Sequence, residues 1–141
     1  MISQSAEYAL RAVVSLAHAK GERVSTARLA ERTKVPPGYL PKVLQALAKA
    51  DLVTSVTGRI GGFQLARDPA RITVLDVVDA IDPVKRIESC PLELDSHRHE
   101  LCPLHRRLDE AAAAVERAFA GTTIAEILGD PSPVPVLCAP P

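Results

Sequence analysis

The 141-residue sequence contains no tryptophan and few other aromatic residues, with only two Tyr and two Phe. Its apolar residues are mainly Leu, Val, Ala and Ile, which favour packing between helices over a β-sandwich or barrel. A chain of this length buries one core, with an appendage, but is too short for two full domains. The composition therefore predicts a mostly α-helical protein with a single compact head.

Long apolar runs are also lacking, because no stretch approaches the roughly 18 residues that a membrane-spanning helix needs. Residues 1–16 lack the basic start and continuous apolar segment of a signal peptide. We therefore expect a soluble, cytoplasmic protein with no membrane partner. In a reducing compartment, the three cysteines (Cys90, Cys102 and Cys138) favour metal binding, redox chemistry or burial over a disulfide framework.

Catalytic signatures are absent from the sequence as well. No Ser-His-Asp set or paired-carboxylate site is legible, and the T-G-R-I-G-G stretch at 57–62 lacks the spacing and lysine of a P-loop. Charge is instead unevenly distributed: residues 1–72 carry 11 Lys and Arg against 5 Asp and Glu, and residues 73–141 carry 6 against 12. A basic first half is suited to binding the phosphate backbone of a nucleic acid, and an acidic second half is suited to regulation or assembly.

Hydrophobic periodicity predicts three helices in the basic half, over residues 3–19, 26–33 and 39–50. Ser25 is the expected N-cap of the second helix. The segment K-V-P-P-G at 34–38 cannot continue a helix, so it separates the second helix from the third. One face of the third helix is apolar, and its polar residues fall on the other faces. Those polar residues are Lys42, Gln45 and Lys49. This is the outline of a helix-turn-helix whose second helix enters a major groove.

A β-hairpin is predicted directly after the third helix. Residues 52–56 are strand-like, 57–62 form a turn with three glycines, and 63–65 begin a return strand. A hairpin in this position is typical of the wing of a winged helix, and Arg59 at its tip is placed to enter a minor groove.

The acidic half is predicted to contain a short helix over 73–81, a helix opened by Pro103 and extending to 120, and a final helix over 124–128. The broad apolar face of the long helix has little to pack against in so small a head, which predicts a two-fold homodimer. From Asp130 the chain is proline-rich and is predicted to be disordered. The predicted organisation is a winged helix-turn-helix domain (1–82), a cysteine-containing sensor loop (83–102), a dimerisation helix with the short helix after it (103–129) and a disordered tail (130–141).

Potential soft ligands crowd into one stretch, C-P-L-E-L-D-S-H-R-H-E-L-C-P-L-H at 90–105. Cys90 and Cys102, with two of His97, His99 and His105, suit a tetrahedral zinc site. Without a metal, the two cysteines remain reduced and buried or form a reversible disulfide.

The order of motifs over residues 1–129 resembles one family. Y-L-x-K-V-L-Q-x-L is followed by the wing G-R-I-G-G-F, a T-V-x-D-V-V helix, the cysteine loop and the long helix. This order is similar to that of the winged-helix bacterial regulators that include the iron-sulfur cluster regulator IscR and the nitric-oxide-sensing repressor NsrR. The resemblance implies a homodimeric, DNA-binding transcriptional regulator, a repressor, that binds successive major grooves. The implied DNA contacts are Ser25, Thr26, Tyr39, Lys42, Gln45, Lys49 and Arg59.

The cysteine loop departs from the pattern of that family, C-x5-C-x5-C, because Ser96 replaces the middle thiolate between Cys90 and Cys102. The resemblance implies that one or both of His105 and Glu7 of the partner subunit are further ligands. This set suits a 2Fe-2S cluster that senses redox, nitric oxide or iron-sulfur status. Zinc, or no metal, is the alternative. On sequence physics alone, Glu7 is a first-turn acid that suits the helix dipole.

Prolines at the start of the third helix are a second departure. Pro41 removes a backbone donor and predicts that the regular helix begins one residue late. These prolines also keep open a different function, a metal-handling or protein-interaction adaptor that retains a winged helix without sequence-specific DNA binding.

Overall fold

The computed structural model describes residues 1–59 and 61–137. Its elements are α1 (Gln4–His18), α2 (Thr26–Thr33), α3 (Leu40–Lys49), β1 (Val53–Val56), β2 (Gly62–Leu65), α4 (Val74–Ile81), α5 (Pro103–Ala120) and α6 (Ile124–Leu128). The predicted fold class, mostly α with a small β-hairpin, is confirmed. The three-helix head and the hairpin after it form the winged helix.

The core lies between α1, α2 and α3, where aliphatic side chains are almost fully excluded from water. Leu16, Leu29, Leu40, Leu44 and Leu47 are each at most 1% exposed. Caps set the helix starts, because the Ser3 hydroxyl accepts from the amide of Ala6 and the Ser25 hydroxyl accepts from the amide of Arg28. The sequence pattern therefore places these helices well, since apolar spacing and caps are both local signals.

The turn between α2 and α3 is tight. Lys34 ends α2 in the left-handed conformation, with φ of 56°, and the Thr33 hydroxyl donates to the carbonyl of Leu29 while accepting from the amide of Val35. The α3 helix begins at Leu40, with Pro41 in its first turn. This start is one residue later than the apolar pattern alone indicates, as the position of Pro41 predicts.

The wing is attached to the segment before α2 by backbone hydrogen bonds. The two strands pair antiparallel, and Val24 exchanges two further bonds with Phe63, at 2.9 and 2.8 Å. Gly62 permits this approach, because a Cβ there would lie 2.6 Å from the Val24 carbonyl oxygen and φ is 151°. The wing is therefore fixed relative to the N-terminus of α2.

The acidic half folds back onto the head at α6. The amide of Val74 donates to the Thr122 carbonyl and that of Ile124 to the Ile72 carbonyl, at 2.9 and 2.8 Å. Ile124 is fully buried, whereas no residue of α5 is buried. The long helix packs against α4, and all of its residues remain at least partly open to solvent.

The predicted disordered tail begins at Asp130. Residues 130–137 have neither helix nor strand, yet Val136 and Leu137 pack against the core and the Val136 carbonyl lies 3.3 Å from His18 Nε2. Residues 138–141, including Cys138, lie outside the described residues.

Candidate nucleic-acid interface and cysteine loop

The predicted reading helix presents a polar face. Lys42, Gln45 and Lys49 are all exposed, and Val43 and Leu44 on the opposite side are buried. The three polar residues follow one another at steps of three and four, which place them along one side of a helix. This arrangement is suited to insertion into a major groove.

The wing and the start of α2 form a second candidate contact region. Ser25, Thr26 and Arg59 line one open concavity between the hairpin and the α2 N-terminus. Amides at a helix N-terminus attract anions, and an exposed arginine adds a positive charge. The structure thus brings together three of the predicted DNA contacts.

Tyr39, at the start of α3, is engaged within the protein. Its hydroxyl shares a 2.8 Å hydrogen bond with that of Ser5, and its ring packs edge-on against Tyr8, with centroids 5.7 Å apart. Neither Ser5 nor Tyr8 was predicted from the sequence, because each contact joins α1 to a residue about 30 positions away and leaves no periodic signal.

Each cysteine of the loop has a histidine neighbour. Cys90 Sγ lies 3.5 Å from His97 Nδ1, and Cys102 Sγ lies 3.3 Å from His105 Nδ1. Both cysteines are free thiols. His99 is exposed, and the cysteine contacts that the structure provides go instead to His97 and His105.

Cys90 occupies a sheltered position. Cys90 is only 7% exposed and lies at the edge of a concavity that Ser89, Glu93 and Arg98 also line. Hydrogen bonding to the Leu94 backbone, then to His97, lowers the pKa of the Cys90 thiol, although burial opposes the shift. The shift is toward the thiolate, which is the form that binds metals and acts as a nucleophile.

A complete metal site is not assembled within the described part of one chain. No three His, Cys, Asp or Glu side chains come together there in a ligating arrangement. Glu7 instead pairs with Arg11, one turn along α1, at 2.8 Å. This position in the first turn agrees with its dipole interpretation, and a role toward a partner subunit lies beyond a single chain.

The cysteine loop is anchored to α5 by one carboxylate. Asp109 accepts two hydrogen bonds from Arg86, at 2.7 and 2.9 Å, and a third from the amide of Ile87, at 2.9 Å. The Arg86 hydrogen bonds lower the pKa of Asp109 to about 2. The first residues of the loop are thereby held against the long helix.

We expect Asp109→Asn to lower the melting temperature at neutral pH, because it removes the charged acceptor of all three hydrogen bonds. The folded pKa lies below the ordinary value of 3.8, so the stabilisation is complete above about pH 4 and is lost as pH falls toward 2. Melting curves from pH 8 to 3 should show a constant gap between wild type and variant that narrows below pH 4. Asp95→Asn is the control: it alters an exposed ion pair with Arg98 and should change the melting temperature little. A gap at pH 3 that is as wide as the gap at neutral pH would contradict this role, because the unfolded carboxylate is mostly protonated by then.

Comparison with known proteins identifies the family. The family model described as an iron-dependent transcriptional regulator, Rrf2, matches residues 2–130. The chain belongs to the Rrf2 family.

Individual relatives and solved structures agree. The Rrf2-family chain is 31% identical over 140 residues to protein rrf2 of Nitratidesulfovibrio vulgaris, covering 95% of this chain and 91% of that protein. It is 30% identical over 131 residues to an inferred HTH-type transcriptional regulator of Aquifex aeolicus, covering 91% of each. T. potens IscR superposes with a TM-score of 0.75 at 27% identity, covering 94% of this chain and 88% of that one. CymR, the global cysteine regulator of B. subtilis, superposes with a TM-score of 0.73 at 25% identity. The match covers 90% of this chain and 95% of CymR.

Membership of the Rrf2 family confirms several predictions. The chain is a transcriptional regulator of the DNA-binding winged-helix type and not an enzyme. Among the described residues, no helix is both long enough and apolar enough to cross a membrane.

Proposed function

We propose that this Rrf2-family protein is a cytoplasmic, homodimeric transcriptional repressor. Its cysteine loop controls its affinity for duplex DNA. The observation that carries the proposal is an α3 helix with an exposed polar face, followed directly by a wing. Exposed Lys42, Gln45 and Lys49 lie on one helix face, and Arg59 extends from a hairpin fixed to the start of α2.

Each part of that surface has a distinct role in the proposal. Lys42, Gln45 and Lys49 enter the major groove, and Arg59 enters the adjacent minor groove. Ser25 and Thr26 contact phosphate beside the α2 N-terminus, where the helix dipole favours an anion. Tyr39 stands at the start of the same reading helix.

The proposed dimer forms through α5. Leu104 and Leu108 are 63% and 51% exposed, and they lie one turn apart on a helix with no buried residue. Pairing with the α5 of a second copy covers this apolar stripe and gives each dimer two reading helices for a partly palindromic operator.

For the cofactor, we propose a 2Fe-2S cluster held by Cys90, Cys102, His105 and Glu7 of the partner subunit, by which the protein senses redox, nitric oxide or iron-sulfur status. The 3.3 Å contact between Cys102 and His105 supports this set, since thiolate and imidazole are both cluster ligands. Bound there, a cluster supplies one-electron redox chemistry. The alternative is zinc on the two cysteines with His97 and His105.

DNA selection tests the function. A library of random duplexes is enriched on the wild-type dimer, and the affinity of the winning sequence, the selected duplex, is measured across salt concentrations. We expect a steep loss of affinity with salt, and Lys42→Ala should reduce the slope of log K against log salt by about one. Lys85→Ala, an exposed lysine outside the α3 and wing surface, should leave the slope unchanged. Failure to enrich any sequence, with or without metal, would favour the adaptor function.

A further inference from the structure

The start of the reading helix lacks a cap of its own. Tyr39 occupies the N-cap position but makes no side-chain capping bond there, and the residues before it are Pro36, Pro37 and Gly38. The local hydrogen bonds at this start are between backbone groups: the amides of Tyr39 and Leu40 donate to the Pro36 carbonyl, and the amide of Val43 donates to the Tyr39 carbonyl. A helix N-terminus without a side-chain cap is less firmly fixed than one with Ser, Thr, Asp or Asn.

Side chains of α1 instead hold the side chain of Tyr39 at this uncapped start. The Ser5 hydroxyl bonds the Tyr39 hydroxyl at 2.8 Å, and the Tyr8 ring meets the Tyr39 ring at 73°. This edge-on geometry is a favoured arrangement of aromatic rings. The first turns of α1 therefore hold Tyr39 from two directions.

The same face of α1 also holds the other end of the turn. Arg11 donates to the Thr33 carbonyl at 3.2 Å, at the last residue of α2, and its guanidinium lies 5.3 Å from the centre of the Tyr8 ring. That distance is within the range of a cation–π contact. One row of α1 side chains, Ser5, Tyr8 and Arg11, thus fixes both residues that flank the helix-turn-helix turn.

We propose that Ser5, Tyr8 and Arg11 are positioning residues that set the angle of α3, and that the Tyr39 hydroxyl serves DNA binding through Ser5 and not by touching DNA. This inference rests on the proposed DNA-binding function. Lys42 lies one turn after Tyr39 and lines the same concavity with Ser5 and Ile81, so a shift of Tyr39 displaces the side chain proposed to enter the major groove.

A double-mutant cycle tests the inference. Tyr39→Phe and Ser5→Ala each remove one partner of a single hydrogen bond, so each should weaken binding of the selected duplex by about three- to tenfold. The double variant should be no weaker than either single variant, because the interaction is already lost. Ser5→Thr, which retains a hydroxyl, should restore most of the affinity. Ser132→Ala is the control: it removes an exposed serine hydroxyl in the segment after α6 and should leave the affinity unchanged.

A second readout separates positioning from general stability. Binding to a scrambled duplex depends on phosphate contacts and should be unchanged in folded variants, so the ratio of specific to non-specific affinity should fall. If Tyr39→Phe weakens binding but Ser5→Ala does not, the Tyr39 hydroxyl contacts DNA and the inference is overturned. Additive losses, or no loss in either variant, overturn it as well. A failure of the DNA-binding function is distinct, because then no selected duplex exists for the wild type.

Discussion

Leu108→Glu is expected to separate the dimer into monomers and to weaken binding of the selected duplex by about 100-fold or more. Leu108 is 51% exposed in the single chain, so the glutamate costs the monomer fold little. In a paired α5 interface it would place two charges in an apolar contact, which is strongly unfavourable. Monomers also lose the gain from joining two half-site contacts, which is on the order of 100-fold.

Sedimentation velocity and anisotropy titration measure the two effects on the same samples. Arg106→Glu is the matched control, because residue 106 is exposed and lies two positions from Leu108, on nearly the opposite side of α5. It should remain dimeric. A wild type that sediments as a monomer, or a Leu108→Glu protein that stays dimeric, would exclude α5 as the interface.

Cys102→Ser is expected to abolish the visible absorption and the iron content of protein purified without oxygen. Cys102 lies 3.3 Å from His105, and both are ligands of the proposed cluster. The substitution removes the thiolate of this pair. Cys90→Ser should have the same effect. Cys138→Ser is the control and should retain colour and iron.

Histidine variants distinguish the two proposed metals. His105→Ala should reduce iron content, whereas His97→Ala should leave the cluster in place, since only the zinc set uses His97. If the wild-type protein is colourless and binds stoichiometric zinc, and if both histidine variants lose that zinc, the zinc site is the correct one and the cluster is excluded. Protein with neither metal would leave the cysteines as redox-active or structural thiols.

Local signals made most of the fold predictable. The caps at Ser25 and Thr73 and the prolines at 41 and 103 each act within one helical turn, and the glycines of the wing require a turn there. The exposed positions of Lys42, Gln45 and Lys49 follow from the same helical period that buries Leu44. The fold class and the exposed polar face of α3 could therefore be predicted from the sequence.

The missed features are contacts between distant side chains. The Ser5–Tyr39 bond spans 34 residues and the Arg86–Asp109 pair 23, and neither residue type is unusual at its position. Cys90 likewise lies beside His97, which ends the short turn at 95–97, and His99 is exposed. Such pairings depend on how the elements are folded together, and no periodicity or spacing specifies them.

The attachments of α5 also affect which operators suit the protein. In its first half the helix is held through Asp109 and Arg86. Past its end, Thr122 and Ile124 are hydrogen-bonded to residues 74 and 72 of the same chain. Two chains joined along α5 would thus carry their reading helices as one stiff frame. One inserted base pair turns a half-site by about 35° around the duplex axis. A frame without a hinge cannot follow that rotation, so the spacing of the half-sites should be as strictly required as their sequence.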